Sequence, residues 1–66
     1  MIPEKGKTYW IDFFDPDEED LSYEGPSTYL GETEPSAEGD ETLYRFRHSD
    51  NILSALFSEE DIVREI

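Results

Sequence analysis

The chain contains no cysteine, which excludes disulfides and thiolate zinc sites. It has no apolar run near the roughly 18 residues that a membrane-spanning helix needs, and its first residues lack the apolar core of a signal peptide. A chain without thiols suits a reducing compartment. We therefore expect a soluble, cytoplasmic protein.

Positive charge is also scarce. Five lysines and arginines and one histidine stand against 18 aspartates and glutamates, and the net charge is −13. Duplex DNA carries one charge per about 1.7 Å of its axis, so this net charge corresponds to roughly 22 Å of duplex. A compact domain of this length is roughly 28 Å across. The charge density disfavours direct binding to nucleic acid or to an anionic membrane, and it predicts a basic protein partner.

The short length limits the chain to a single domain, which we expect to span residues 1–66. A domain of this size buries only about 60% of the surface that its unfolded chain exposes, so its stability margin is narrow. High net charge with low hydropathy is typical of disorder, but 14% of the residues are aromatic and they alternate or cluster. We therefore predict a folded monomer with an acidic surface.

The acidic residues concentrate in two segments. Seven of the thirteen residues from Asp12 to Glu24 are carboxylates, with no lysine or arginine among them, and Gly31–Glu41 holds five more. Charges at this density cannot be buried, so we predict acidic loops at about 15–25 and 31–41. The predicted partner-binding residues are Asp12, Asp15, Asp17, Glu18, Glu19, Asp20, Glu24, Glu32, Glu34, Glu38, Asp40 and Glu41.

Alternating aromatic and β-branched residues predict the strands. Thr8–Phe14 is the clearest, and its alternation places one set of side chains in the core and the other set outside. Two further strands are predicted at Ser27–Leu30 and Thr42–Arg47. The predicted core residues are Tyr9, Ile11, Phe13 and Tyr29, and the outward residues of the first strand are Trp10, Asp12 and Phe14. In the third strand, Tyr44 and Phe46 are expected to share one face, with Leu43, Arg45 and Arg47 on the other.

Turn residues predict where the strands end. Asp15-Pro16-Asp17 would end the first strand, and Gly25-Pro26 would form a second turn. Between them, Leu21 and Tyr23 are expected to anchor the acidic loop to the core. His48 is expected to lie exposed in a turn with Ser49, Asp50 and Asn51.

The C-terminal segment supports two interpretations. Ser58 can cap a helix whose apolar face holds Ile62, Val63 and Ile66. Alternatively, Ser58–Asp61 forms a single 3₁₀ turn between strands at Leu53–Phe57 and Ile62–Ile66, and the last strand pairs with Thr8–Phe14. The β-branched ending slightly favours the second interpretation.

The predicted fold class is mainly β, and the alternative is α+β with a short C-terminal helix from Ser58. The opening Gly-Lys-Thr-Tyr-Trp-Ile-Asp and the ending Leu-Phe-Ser-Glu-Glu-Asp-Ile-Val resemble those of SH3-like domains. This resemblance implies a five-stranded small barrel or sheet, with a long acidic loop after the first strand and a one-turn connection before the last.

The sequence contains no convincing catalytic or metal-binding motif. Asp15, Asp17 and Glu19 imitate the first half of a calcium-binding EF-hand loop, but Asp20 occupies the glycine position and Pro26 the bidentate glutamate position. No nucleotide-binding loop or catalytic triad is evident. We therefore predict no enzyme activity, no metal and no cofactor. Arg45 and Arg47 are expected to neutralise nearby carboxylates on the sheet.

In charge, size and lack of cysteine, the chain resembles the small acidic inhibitors of phages and mobile elements, which include DNA-mimicking anti-CRISPR and anti-restriction proteins. This resemblance implies a non-enzymatic inhibitor, acting in the host cytoplasm, whose carboxylates occupy the nucleic-acid-binding groove of a basic host protein or complex. The alternative is a small protein-interaction module that binds through exposed Trp10 and Phe14. A third interpretation is halophilic adaptation, in which acids cover every face evenly.

Overall fold

A computed structural model describes residues 1–37, 39–48 and 54–66, and within them the fold is mainly β. The strands are β1 (Thr8–Phe13), β2 (Tyr23–Pro35), β3 (Thr42–His48), β4 (Ser54–Phe57) and β5 (Ile62–Glu65). They form one antiparallel sheet in the order β4-β3-β2-β1-β5. Two single 3₁₀ turns, Glu19–Leu21 and Glu59–Asp61, lie between β1 and β2 and between β4 and β5.

The core lies on the face of the sheet that the alternation predicts. Tyr9 and Ile11 of β1 are buried, and Phe13 packs against the core from a half-buried position. Phe46 is fully buried and its ring contacts the rings of Tyr9 and Tyr29. The predictions for this face are confirmed, and among the described residues the buried core comprises Tyr9, Ile11, Tyr29, Tyr44, Phe46, Phe57 and Ile62.

The C-terminal segment adopts the strand interpretation. Glu59–Asp61 forms a single 3₁₀ turn, and β5 then pairs antiparallel with β1, with Ile62 opposite Ile11. The turn is stabilised by a capping box, in which the Ser58 backbone N–H donates to the Asp61 carboxylate. The predicted helix from Ser58 is wrong, because Ile62 and the residues after it satisfy their backbone groups against β1 and place one β-branched side chain in the core.

Strand β2 is much longer than the sequence predicts. It runs through Gly25-Pro26, which was expected to be a turn, and through the first half of the expected loop at 31–41, so only residues 36–41 connect β2 to β3. Gly25 is buried opposite Ile11 with φ +155°, where a side chain would collide with the Tyr23 ring. Glycine is therefore required at this position for close packing rather than for a turn.

The predicted mainly β fold, a five-stranded small barrel or sheet, is confirmed, and the structure has the sheet, which is not closed. Strands β4 and β5 are its two edges, and the pairings described between strands leave both edges unpaired. The sheet nevertheless curls around the core, since Phe13 of β1 lies 5.5 Å from Phe57 of β4 between ring centroids although two strands separate them. The curl leaves an outer face, which carries Thr8, Trp10 and Asp12 of β1. Within the described residues, no helix has the length and apolar character to cross a membrane.

Candidate partner-binding surfaces

Seven carboxylates gather where β1 passes into β2, and we call them the first acidic cluster. Asp12 and Glu24 stand directly opposite each other on the outer face of the two strands. Like charges opposite each other destabilise a sheet, so this pair is kept at some cost in stability. The members of the cluster are Asp12, Asp15, Asp17, Glu18, Glu19, Asp20 and Glu24.

Hydrogen bonds order the connection that carries this cluster. The Asp15 carboxylate accepts hydrogen bonds from the backbone N–H groups of Asp17 (3.0 Å) and Glu18 (3.1 Å). The Asp15 backbone N–H donates to the Ser22 hydroxyl at 2.9 Å, and the 3₁₀ turn Glu19–Leu21 follows. The carboxylates are therefore displayed on a defined backbone and not on an extended loop.

One of the two predicted anchors of this connection is correct. Tyr23 is half-buried, packs against the core and donates a hydrogen bond to the Pro26 carbonyl oxygen at 2.6 Å. Leu21 is 57% exposed, so its predicted role as an anchor is wrong. The reason is that the 3₁₀ turn ends at Leu21 and none of its residues is buried.

The cations seen in ion pairs contact carboxylates outside the first acidic cluster. Lys7 pairs with Glu4 at 3.1 Å and with Glu65 at 3.7 Å. The hydrogen bond and the charge of Glu4 raise the pKa of Lys7, with a smaller contribution from Glu65. Across residues 1–37, 39–48 and 54–66, no ion pair involves a member of the first acidic cluster.

Glu32 and Glu34 differ from the members of the first acidic cluster because both are paired with Arg45. The Arg45 Nε lies 3.3 Å from the Glu32 carboxylate, and its guanidinium also contacts Glu34. The Ser54 hydroxyl accepts a further hydrogen bond from Arg45 at 2.7 Å. The predicted pairing of Arg45 with nearby carboxylates is confirmed, and it offsets one of the two negative charges.

A second acidic cluster lies at the other end of β2. Asp40 and Glu41 line an open hollow of about 270 Å³ together with Glu59 and Glu60 of the second 3₁₀ turn. Glu59 and Glu60 are not among the predicted binding residues, because their proximity to Asp40 depends on how the sheet curls. Glu38, also predicted to bind, lies outside the described residues.

Tyr44 lies beside the second acidic cluster, which affects its pKa. The Tyr44 hydroxyl donates a hydrogen bond to the Glu59 carboxylate at 3.4 Å. Burial, followed by the charge of Glu59, raises the pKa of Tyr44 above its ordinary value. Tyr44 therefore remains a neutral hydrogen-bond donor at physiological pH.

The two clusters are not separated at opposite ends of the molecule. The first lies where β1 ends and β2 begins, and the turn that carries Glu59 and Glu60 also contacts β1, because Ile62 after that turn lies opposite Ile11. The sheet also carries arginines, with Arg64 opposite Trp10 and Arg47 opposite Thr28. Of the acids outside both clusters, Glu4 and Glu65 are paired with Lys7, and Glu32 and Glu34 with Arg45.

The two outward aromatic residues have different environments. Trp10 is half-buried, and the Arg64 guanidinium lies 5.9 Å from its ring centroid. Phe14 is 67% exposed beside the first acidic cluster. Only Phe14 therefore presents most of an aromatic side chain to solvent.

His48 is not the exposed turn residue that the sequence predicts. It is the last residue of β3, its ring stacks on Tyr23 with 3.7 Å between centroids, and its Nδ1 lies 2.9 Å from the Ser27 hydroxyl. Burial lowers the pKa of His48. Ser27 is 1% exposed, so a substrate cannot reach the serine of this pair, and the contact is structural.

Among residues 1–37, 39–48 and 54–66, no three histidine, cysteine or acidic side chains are arranged to hold a metal ion. Comparisons of the chain with protein-family models, with curated proteins and with solved structures find no match.

Proposed function

We propose that this protein is a non-enzymatic inhibitor that binds a basic nucleic-acid-binding protein and blocks its nucleic-acid-binding groove. The observation that carries the proposal is the first acidic cluster, whose seven carboxylates sit on an ordered connection without an ion pair in the described part of the chain. A cationic partner would supply the missing counter-charges.

The size of the molecule supports mimicry of a nucleic acid. Its longest extent is 27 Å, and a DNA duplex of that length carries about 16 charges. The net charge of the chain is −13. A groove shaped for a short duplex would therefore meet a similar amount of negative charge over a similar length.

The mechanism is steric occlusion with electrostatic steering. Complementary charge accelerates association, and the interaction weakens as salt screens it. Each exposed charge pair is worth about 0.2–1 kcal/mol, so affinity is spread over many carboxylates. Complexes of CRISPR–Cas or restriction systems have grooves of this chemistry and are the partner class that we propose.

Exposed Phe14 favours a second candidate, a protein-interaction module that binds through aromatic residues. Aromatic side chains are enriched among the residues that dominate binding energy, and the exposed fraction of Phe14 is 67%. In this candidate, the acids serve solubility, and the loss of one ring removes most of the affinity.

A displacement assay tests the proposal. A basic partner captured from the source cell and eluted by a salt gradient is loaded with labelled DNA, and the chain is titrated in at low and at high salt. We expect displacement at low salt that weakens as salt rises, and little change for Phe14→Ser. If the original chain displaces no DNA at low salt, the proposal is contradicted. If the original chain displaces DNA but Phe14→Ser does not, the second candidate is supported.

A further inference from the structure

An open hollow of about 360 Å³ lies beside the first acidic cluster. Its volume is at the small end of the range of ligand-binding pockets, about 300–1,000 Å³. The walls combine apolar and aromatic side chains with a carboxylate at the rim. The residues that line it are Asp20, Leu21, Ser22, Tyr23, His48, Ser54 and Ala55.

The geometry points to this hollow as the docking site for an arginine side chain of the basic partner, an inference that rests on the proposed function. Leu21 and Ala55 offer an apolar wall to the methylene groups of an arginine. The Asp20 carboxylate can accept two parallel hydrogen bonds from a guanidinium group. The Ser54 hydroxyl at the rim already accepts a hydrogen bond from Arg45, whose charge is paired with Glu32 and Glu34.

Charge complementarity selects a cation as the occupant. Asp20 makes no ion pair with any residue that the structure describes, and Glu18 and Glu19 precede it. Burial lowers the pKa of His48, so its imidazole is neutral at pH 7 and does not repel a cation.

Arginine fits this hollow better than lysine. Guanidinium is planar, weakly hydrated and able to bind a carboxylate with two donors, whereas ammonium is a compact and strongly hydrated charge. Partial burial against Leu21 and Ala55 therefore costs arginine less hydration. We expect arginine to bind with a preference of about two- to fivefold, the range that one exposed charge pair supplies.

Titration of the full chain with an oligoarginine peptide and an oligolysine peptide of equal length tests the inference. The methyl signals of Leu21 and Ala55 are followed by NMR. We expect saturable shifts of these signals with oligoarginine and tighter binding of oligoarginine than of oligolysine. Ala55→Leu fills the hollow and Leu21→Ser removes its wall, so each variant should abolish the preference while oligolysine binding is retained.

Val63→Ser is the matched control, since Val63 is a half-exposed apolar residue on β5 and its loss should leave the preference unchanged. Equal affinity for the two peptides, or a preference that survives both hollow variants, overturns the inference and leaves the proposed function standing. Binding of neither peptide at low salt overturns both.

Discussion

At the scale of single residues, Phe46 shows how so small a chain builds a core. It has 0% exposure, and its ring contacts the rings of Tyr9, Tyr29 and Phe57. We predict that Phe46→Ala lowers the free energy of unfolding by about 3–5 kcal/mol, which approaches the whole stability of a domain this small. Urea denaturation followed by tryptophan fluorescence measures it.

The control for this substitution is Phe14→Ala. Phe14 is 67% exposed, and surface substitutions change stability by only about 0.5 kcal/mol. If Phe14→Ala lowered the free energy of unfolding as much as Phe46→Ala does, the assignment of the core would be contradicted.

His48 gives the fold a pH dependence of defined sign. Its pKa is lowered in the folded state because burial disfavours the charged ring, while in the unfolded chain it is about 6.5. The unfolded chain therefore binds more protons below about pH 6.5, so stability is fully present above that pH and declines as pH falls through it. Urea midpoints between pH 5 and pH 8 measure this.

His48→Gln separates the pH dependence that His48 gives to stability from that of the carboxylates, since both proteins have the same carboxylates. We expect the stability difference between the original chain and His48→Gln to shrink as pH falls below about 6.5. A difference that stays constant from pH 8 to pH 5 would refute the role of His48.

At the scale of elements, Gly25 makes the long strand β2 possible. A Cβ at this position would lie 2.9 Å from the Tyr23 hydroxyl oxygen, and that hydroxyl is held by its hydrogen bond to the Pro26 carbonyl. We therefore expect Gly25→Ala to lower stability by about 1–3 kcal/mol. Gly6→Ala is the control, because Gly6 also has a positive φ but nothing lies within 4 Å of its Cβ position.

Thermal melts of the two alanine variants measure this difference. Gly25→Ala should lower the melting temperature more than Gly6→Ala does. Both variants strain the backbone, but only Gly25→Ala adds a collision with Tyr23. Equal losses would mean that the close packing of Tyr23 on Gly25 is not needed.

The elements also show which parts of the fold the sequence predicts. Period-two alternation correctly predicts β1 and β3, and the β-branched ending predicts that β5 pairs with β1. The turn signal at Gly25-Pro26 and the polar composition of 31–41 mislead, because pairing with neighbouring strands overrides local turn preference along β2. The sequence shows that Asp12–Glu24 is acidic, but not that Arg45 pairs with Glu32 and Glu34, since this contact requires the register of β2 with β3.

At the scale of the whole molecule, net charge opposes the compact state. Within the described residues, the ion pairs are made by Lys7 and Arg45 alone, so self-repulsion of the acids outweighs attraction. Salt screens repulsion between exposed charges, with a screening length of about 10 Å at 0.1 M and about 3 Å at 1 M. We therefore predict that the melting temperature rises as sodium chloride is added, and a fall would contradict this balance.

The central claim is that a partner recognises carboxylates held in fixed positions and not the net charge alone. Two variants of the chain lose the same four charges from different places. The first is Asp17→Asn, Glu18→Gln, Glu19→Gln, Asp20→Asn in the first acidic cluster, and the second is Asp40→Asn, Glu41→Gln, Glu59→Gln, Glu60→Gln in the second acidic cluster.

The decisive measurement is the affinity of both variants for the captured partner at one low salt concentration. The first variant should bind about 30-fold more weakly than the original chain, which corresponds to about 0.5 kcal/mol for each lost charge pair. The second variant should lose clearly less affinity than the first. Equal losses in the two variants, or no loss in the first, would contradict the claim.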